Sequence, residues 1–239
     1  MESSAYQRIL LKLSGESLGG KSGGGVDFVR AGRVCDELAG AHGLGVRIGL
    51  VIGGGNILRA ADTEGTGLDR PTRDAMGMLA TVINALAVQG LLEKRNIPAR
   101  VLTATDMRPY AEPYARSSAL AHLDEGRVVI FAGGTGHPYF TTDTAAALRA
   151  VEMGAQVLMK ATNVDGVFDA DPKKHPEAKR YAELDYTTAL AKKLRVMDAT
   201  AISLCRENHL PILVFNLTRP GSIIRAVKGE SVGTIVKGD

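Results

Sequence analysis

Short apolar runs alternate along the chain with longer segments of helical periodicity. Apolar runs of strand length occupy residues 8–13, 46–52, 99–103, 127–132, 155–160, 211–216 and 232–236. Segments with a helical spacing of apolar residues occupy about 27–41, 70–95, 143–153, 198–208 and 221–228. Because the short runs are apolar at nearly every position, both faces of each strand must be covered. The pattern therefore predicts an α/β fold, a three-layer sandwich around a mostly parallel, twisted sheet.

The segment 70–95 differs from the other predicted helices because it is apolar around most of its circumference. Such a helix is either buried in the core or covered by a second subunit, and the sequence favours neither interpretation. No stretch of the chain approaches the run of about 18 uninterrupted apolar residues that a membrane span requires. We therefore expect no membrane partner.

A lysine interrupts the first apolar run close to its end. Lys12 is followed by one leucine and then by Ser14-Gly15. The triple glycine 53–55 comes directly after the second apolar run. A buried ammonium group without an anionic partner is costly, so Lys12 indicates a bound anion. Small residues at a strand end let backbone N–H groups approach phosphate closely. Two such turns predict a site for a polyphosphate, with a plain tight turn as the alternative for 53–55.

Glycine is concentrated in three runs, at 19–25, 53–55 and 133–136. In the predicted sheet these runs and the 160–171 loop lie at the carboxyl ends of strands, where open α/β sheets bind their ligands. Their convergence predicts a single active cleft. The charged stretch 169–181, which contains two prolines, is expected to be an exposed loop at the rim of that cleft.

Two familiar phosphate-binding motifs fail on their context. Residues 15–22 match the Walker A pattern GxxxxGK[ST], which would assign the phosphates to Lys21. Glycines 23–25 follow where that motif needs a helix to begin, and no later strand ends in a metal-binding aspartate. The run 53–55 lacks the GxGxxG spacing of dinucleotide-binding enzymes, which disfavours hydride transfer.

Three charged residues complete the predicted site. Arg59 follows the triple glycine by about one helical turn and could fold over a bound phosphate, although a solvated surface arginine fits as well. Lys160 ends its apolar run, a position similar to that of Lys12 near the end of the first run. Asp143 lies near a predicted helix start, where it is either a cap or a partner for a lysine. The histidines show no metal-ligand spacing, so we predict no protein-built metal site.

Composition narrows the class of protein. The 239 residues are 45% hydrophobic and 23% charged, as in ordinary globular proteins, and they fit one large domain or two closely joined halves. A net charge of +3, 5% aromatic residues and no Trp disfavour nucleic-acid binding. Cys35 and Cys205 are isolated, and the N-terminus lacks signal-peptide features, so a cytoplasmic protein is expected.

Taken together, several segments closely resemble the bacterial UMP kinases of the amino acid kinase superfamily. The segments that carry the resemblance are Arg8–Glu16, Val51–Asn56, Met76–Thr81, Gly134–Asp143, Lys160–Phe168 with Asp171-Pro172, and Val196–Asp198. They span nearly the whole chain. The resemblance implies one amino-acid-kinase domain over 1–239, with an acceptor-binding part at about 1–150 and an ATP-binding part at about 151–239.

The resemblance also implies roles for individual residues. Catalysis would fall to Lys12, Arg59, Asp143 and Lys160. The ATP contacts would be Lys12, Leu13, Ser14, Gly15, Gly55 and Arg59 at the phosphates, with Thr162, Asn163, Phe168 and Asp171 at the adenosine. The UMP contacts would be Gly54, Asp74, Thr135, Gly136, His137, Pro138, Tyr139, Phe140, Thr141 and Thr142. The GTP-responsive loop would comprise Gly20, Lys21, Ser22, Gly23, Gly24 and Gly25. UTP inhibition and a homohexamer built from dimers are implied in the same way.

The expected reaction is phosphoryl transfer from ATP to UMP. The UMP phosphate is a monoester with a second pKa of about 6, so it is mostly dianionic at neutral pH. No general base is needed to activate it as a nucleophile. Mg²⁺ is expected to be bound through ATP oxygens and water. Two alternatives remain open: a kinase of the same fold that phosphorylates carbamate or an amino-acid carboxylate, and a nucleotide-binding sensor or storage protein without catalysis.

Overall fold

The computed structural model describes residues 4–20, 24–172 and 174–238. Within these residues the strands are β1 (Arg8–Leu13), β2 (Arg47–Ile52), β3 (Ala99–Thr103), β4 (Glu112–Pro113), β5 (Val128–Ala132), β6 (Val157–Thr162), β7 (Glu183–Leu184), β8 (Ile212–Asn216) and β9 (Gly233–Val236). The α-helices are α1 (Phe28–Gly43), α2 (Arg70–Glu93), α3 (Arg116–Asp124), α4 (Thr142–Glu152), α5 (Tyr186–Ala191), α6 (Ala199–Glu207) and α7 (Ser222–Val227).

All of these strands belong to one sheet, in the order β4-β3-β5-β2-β1-β6-β8-β9-β7. Neighbouring strands are parallel except β8 and β9, which pair antiparallel. The central strand β1 pairs with β2 on one side and β6 on the other. Strands from before and after residue 150 therefore belong to one continuous sheet. The division of the chain into an acceptor-binding part and an ATP-binding part stays a prediction.

The helices cover the sheet as two outer layers with separate apolar cores. One core packs Ile9 and Leu11 of β1 against α1, α2 and α7. The other packs Leu10, which faces the opposite way, against α3, α4, α5 and α6. Alternate residues of a strand point to opposite faces, so a strand buried on both faces must be apolar throughout. The predicted three-layer α/β sandwich is confirmed.

Each predicted strand and helix is present, with ends within about two residues of the expected positions in most cases. Capping explains several helix starts: Asp27 accepts from two backbone N–H groups of α1, and α2 begins with Asp69 as its cap and Pro71 in its first turn. One boundary needs correction, because β6 runs to Thr162. Lys160 therefore lies inside that strand rather than at its end.

Four further elements were not predicted from the sequence. The strands β4 and β7 are two residues long and pair at the edges of the sheet, too short for any periodicity. Helix α5 has six residues, and α3 has nine with little segregation of apolar side chains. Their packing against the sheet, rather than their own sequence pattern, defines them.

Helix α2 is buried on one face, as the first of its two sequence interpretations expects, while the subunit interface stays a prediction. One face carries buried residues that pack on the sheet, including Val82, Val88 and Leu92. The outer face presents an exposed apolar stripe of Met76, Leu79, Ile83 and Leu86. Length and composition would also allow α2 to cross a membrane, but core helices of soluble proteins pass the same test.

Candidate active site

Strand register brings two lysines together at the centre of the sheet. Lys12 of β1 is paired with Lys160 of β6. Both side chains lie on the face covered by α4, since Leu10 and Leu158, two positions earlier in each strand, belong to the core on that side. Asp143, the second residue of α4, faces them. Two strands and one helix start therefore define this cluster.

The Asp143 carboxylate bridges the two ammonium groups. Its Oδ1 lies 2.7 Å from Nζ of Lys12 and its Oδ2 lies 2.8 Å from Nζ of Lys160. All three side chains are nearly buried: Lys12 is 10% exposed, Asp143 13% and Lys160 17%. One carboxylate balances only one of the two lysines, so the cluster carries an excess positive charge. A nearly buried site with that charge favours an anionic ligand.

Burial and charge act in opposite directions within the cluster. Burial alone would raise the pKa of the Asp143 carboxyl, but the adjacent Lys12 and Lys160 charges outweigh it and hold the pKa below its usual range. Burial lowers the pKa of Lys160, and the Asp143 carboxylate offsets only part of that effect. Asp143 therefore remains ionised at neutral pH and acts as an orienting anion rather than as a base.

The two predicted phosphate turns touch each other beside this cluster. A side chain at Gly15 would bring its Cβ within 2.6 Å of the Gly53 carbonyl oxygen and of the Gly55 backbone nitrogen. The turns can approach this closely only because position 15 has no side chain. At Gly55 nothing described lies within 4 Å of an added Cβ. The turn therefore presents its backbone to open space there, as phosphate binding requires.

A pair of buried amides holds the second turn. Asn84 of α2 is fully buried, and its Nδ2 donates to the Gly53 carbonyl at 2.7 Å and to Oδ1 of Asn56 at 2.7 Å. Asn56 in turn donates to Oδ1 of Asn84 and to the Gly25 carbonyl, both at 2.9 Å. Buried amides with all these bonds made fix one arrangement of the turn. Sequence periodicity places Asn84 on α2 but gives no sign of this contact.

A first cleft of about 900 Å³ opens beside the Lys12 cluster. Of the predicted ATP residues, Lys12, Ser14, Arg59, Thr162 and Asn163 line it. Arg59 also donates Nε–H to the Gly55 carbonyl at 3.4 Å, which holds it over the glycine turn. Leu13, Gly15 and Gly55 lie in the adjoining strand end and turns. The cleft is also lined by residues that the sequence did not single out, among them Arg30, Arg33, Glu37, Leu217, Thr218 and Pro220.

Two predicted adenosine contacts lie away from the lining of this cleft. Phe168 forms an isolated antiparallel bridge with Arg180, and Asp171 lies 4.0 Å from Arg195. Both belong to the loop that follows β6. Their predicted contact with the adenosine stays a prediction, whereas Thr162 and Asn163 border the cleft directly.

A second cleft of about 500 Å³ adjoins the glycine turn from the other side. Predicted UMP residues that line it are Gly54, Asp74, Thr135, His137, Phe140, Thr141 and Thr142. Gly136, Pro138 and Tyr139 lie in the same loop without lining the cleft. Oδ2 of Asp74 accepts the Tyr139 backbone N–H at 2.7 Å, which ties the loop to α2. Gly55 borders this cleft and lies next to Asn56, which lines the first, so the two clefts meet at the glycine turn.

Part of the predicted effector loop lies beyond what the structure describes. Lys21, Ser22 and Gly23 are outside the described residues. Gly20 lines the first cleft, and the Gly25 backbone N–H donates to the Asn56 carbonyl at 2.7 Å. The described end of the loop is thus bonded to the phosphate turn.

Asp198 is a further residue near the cluster to which the sequence assigned no role. Its carboxylate caps α6 by accepting the Ala201 N–H, and it accepts from the hydroxyls of Thr141 and Thr144 at the start of α4. It thereby fixes the end of the helix that carries Asp143. The segment Val196–Asp198 contributed to the family resemblance, and that was the only sequence signal for it.

Comparisons with known proteins identify the family and the fold of the chain. The model of the amino acid kinase family matches residues 7–216. A UMP kinase from Bacillus anthracis is 41% identical with a TM-score of 0.95, and the match covers 98% of this chain and 97% of that one. A UMP kinase from Ureaplasma parvum is 36% identical, with a TM-score of 0.93 and coverages of 97% and 99%. A uridylate kinase from Archaeoglobus fulgidus is 27% identical, with a TM-score of 0.75 and coverages of 95% and 99%.

Proposed function

This chain belongs to the amino acid kinase family, and we propose that it is a bacterial-type UMP kinase that transfers the γ-phosphoryl group of ATP to UMP. The observation that carries the proposal is the cationic cluster of Lys12, Asp143 and Lys160 beside the glycine turn where two clefts meet. The larger cleft suits a nucleoside triphosphate and the smaller one a nucleoside monophosphate. The reaction forms UDP and ADP, and it is a step of pyrimidine nucleotide biosynthesis.

The chemistry required of the protein is positioning and charge neutralisation. The UMP phosphate is already a nucleophile at neutral pH, so the obstacle is its repulsion by the polyphosphate of ATP. Lys12 and Lys160 would neutralise the transferring group and the bridging oxygen, and Asp143 would keep both ammonium groups in position. Backbone N–H groups of the glycine turn add fixed dipoles, and Arg59 closes over them.

Binding follows the two clefts. We assign the ATP phosphates to the turns at Ser14-Gly15 and Gly55, and the adenosine to the ends of β6 and β8 near Thr162 and Asn163. Phe168 and Asp171 stay as proposed adenosine contacts. The UMP phosphate is assigned to Gly54 and Thr142, and its nucleoside to Asp74 and the loop 135–141.

Mg²⁺ would enter as part of the MgATP substrate. Among the described residues no group of three or more His, Cys, Asp or Glu could hold a metal ion. The two oxygens of Asp143 each face a lysine. The residues present therefore fit a metal carried mainly by phosphate oxygens and water, where it would shield the charge of the polyphosphate.

Assembly and regulation form the next part of the proposal. The exposed stripe of Met76, Leu79, Ile83 and Leu86 suits burial against a second copy, the first step towards the homohexamer that the family resemblance implies. GTP activation through the 20–25 loop and inhibition by UTP rest on the resemblance alone. A cytoplasmic location is proposed from the free cysteines Cys35 and Cys205. Light scattering with and without Leu79→Glu tests the assembly.

A coupled assay of ADP formation tests the activity. Purified protein with MgATP should turn over UMP, and much less carbamate, acetylglutamate or aspartate at equal concentration. Preference for one of those acceptors would support another kinase of the fold. Single-turnover transfer of labelled γ-phosphate to UMP separates an enzyme from a nucleotide sensor, since a sensor would bind both nucleotides and form no UDP. The same assay with added GTP or UTP tests regulation.

A further inference from the structure

One face of α2 forms a wall of the smaller cleft. The residues of α2 that line the cleft are Arg70, Arg73, Asp74, Gly77, Met78 and Thr81. Their spacing of three and four residues places them on a single helical face. Three of these six residues are charged, and they lie together at the N-terminal end of the wall. This end of the cleft is therefore its most polar part on the helix side.

Two of these charged residues already have partners in the loop opposite. Asp74 accepts the Tyr139 backbone N–H at 2.7 Å, and Arg70 lies over the Tyr139 ring at 4.9 Å from its centre. Arg70 also lies 3.5 Å from the Asp74 carboxylate. These contacts use Arg70 and Asp74 to hold the loop in place.

Arg73 differs from both. Its Nε is buried, yet it has no hydrogen-bond partner among the residues that the structure describes. Several groups shift the pKa of the exposed Asp69 carboxyl, and the charge of Arg73 has the smallest effect among them. A buried N–H donor without an acceptor costs free energy, and proteins leave few such groups unless a ligand supplies the acceptor. Arg73 lines the smaller cleft, so a ligand bound there is in a position to supply that acceptor.

We propose that Arg73 binds the nucleotide that receives the phosphoryl group. It would donate its Nε–H to an oxygen of that pyrimidine nucleotide. The inference rests on the proposed function, because it takes the smaller cleft to be the UMP site. A guanidinium offers several fixed donors and no acceptor. It suits phosphate, ribose and carbonyl oxygens, and it disfavours an exocyclic amino group.

The position of Arg73 along α2 assigns it to the nucleoside part of the ligand. Gly77 packs against the glycine turn, where its carbonyl would lie 2.9 Å from a Cβ added at Gly54. Arg73 lies one helical turn before Gly77, so it is further from the glycine turn and from the phosphate transferred there. It should therefore strengthen ground-state binding of UMP and leave the chemical step nearly unchanged.

Calorimetric binding of UMP to Arg73→Gln and Arg73→Lys, combined with steady-state kinetics, tests the proposal. Arg100→Gln is the matched control, since Arg100 is an exposed arginine on β3 that lines neither cleft. We expect Arg73→Gln to raise Kd and KM for UMP by about tenfold or more, with kcat and KM for MgATP within about twofold. Arg73→Lys should recover little, because an ammonium group does not reproduce the Nε position.

Comparison of UMP with CMP then identifies the oxygen. A loss confined to UMP assigns the contact to the uracil 4-carbonyl, which CMP replaces with an amine, whereas an equal loss for both assigns it to an oxygen they share. Unchanged UMP affinity in a folded Arg73→Gln protein, checked by thermal unfolding, would overturn the proposal. Failure of the unaltered protein to bind UMP would instead overturn the proposed function.

Discussion

The two clefts are built in different ways. The larger cleft is anchored by side chains on neighbouring strands of the sheet, where Lys12 and Lys160 are paired in register and nearly buried. The smaller cleft lies between one face of α2 and the loop that follows β5. In that loop Tyr139 is 59% exposed and Phe140 is 50% exposed. Tyr139 also has a φ of 72°, a left-handed conformation that costs free energy outside glycine.

The difference separates chemistry from selection. Phosphoryl transfer depends on charges held within fractions of an ångström, which a packed sheet provides and a surface loop does not. Acceptor choice depends on contacts that can close around a ligand, and loops carry such contacts on a rigid scaffold. We therefore expect substitutions in the strand cluster to lower kcat, and substitutions around the smaller cleft to alter KM and selectivity.

The largest expected effect contrasts two lysines that rival interpretations of the sequence would each make essential. Lys12→Ala removes an ammonium group 2.7 Å from Asp143, beside the glycine turn where the clefts meet. We expect kcat to fall by about 100-fold or more, the scale for loss of one fixed donor to a developing charge. Lys21→Ala should retain near-normal basal activity, because we propose Lys12 and Lys160, which the strand register pairs, as the catalytic ammonium groups.

Both variants should be measured at saturating UMP and MgATP, with and without GTP. Circular dichroism serves as the control for folding, since Lys12 lies in the central strand. A changed GTP response in Lys21→Ala would agree with the proposed effector loop. An inactive Lys21→Ala enzyme beside an active Lys12→Ala enzyme would instead restore the P-loop interpretation and refute the assignment of the cluster.

A smaller effect is expected on the loop side of the comparison. Asp74→Asn keeps an oxygen that can accept the Tyr139 N–H, so the loop should stay in place. It loses the charged acceptor that we assign to the ribose hydroxyls, a contact worth ~1.5–3 kcal/mol. KM for UMP should rise about tenfold, and the preference for UMP over dUMP should narrow. An unchanged ratio of kcat/KM for the two nucleotides would limit Asp74 to its role as a loop anchor.

Sequence patterns were most informative for the strand cluster. A lysine inside an otherwise apolar strand is a local anomaly, and the glycine turns follow the strands directly, so Lys12, Gly15 and the triple glycine could be selected from the chain alone. Register then explains why Lys160 joins them, although its strand extends further than the apolar run predicts. The family resemblance, rather than periodicity, supplied Asp74 and the loop 135–142.

The residues that sequence reasoning missed have no local anomaly to mark them. Asn84 and Arg73 are ordinary polar residues of a long, mostly apolar helix, and only the folded arrangement reveals that Asn84 holds Gly53 and Arg73 lines a cleft. Asp198 caps α6 in the structure, and its second contact, with the start of α4, joins residues more than 50 positions apart in the sequence. Long-range partners of polar side chains are set by tertiary packing, which a single sequence does not encode in any local pattern.

The smallest expected effect is a shift in pH dependence that only the buried cluster should show. Burial lowers the pKa of Lys160 below the ordinary lysine value of 10.5, so its ammonium group loses its proton at a lower pH than an exposed lysine. If Lys160 must be charged to bind the polyphosphate, kcat/KM for MgATP should decline on the alkaline side before pH 10.5 is reached, since this parameter reports the free enzyme. Lys160→Arg keeps its charge throughout that range, so its alkaline decline should move to higher pH even if its maximal rate is lower. Lys94→Arg, on the exposed end of α2, is the control and should leave the profile unaltered. A decline that is the same in the unaltered enzyme and in Lys160→Arg would mean that a different group limits activity at high pH.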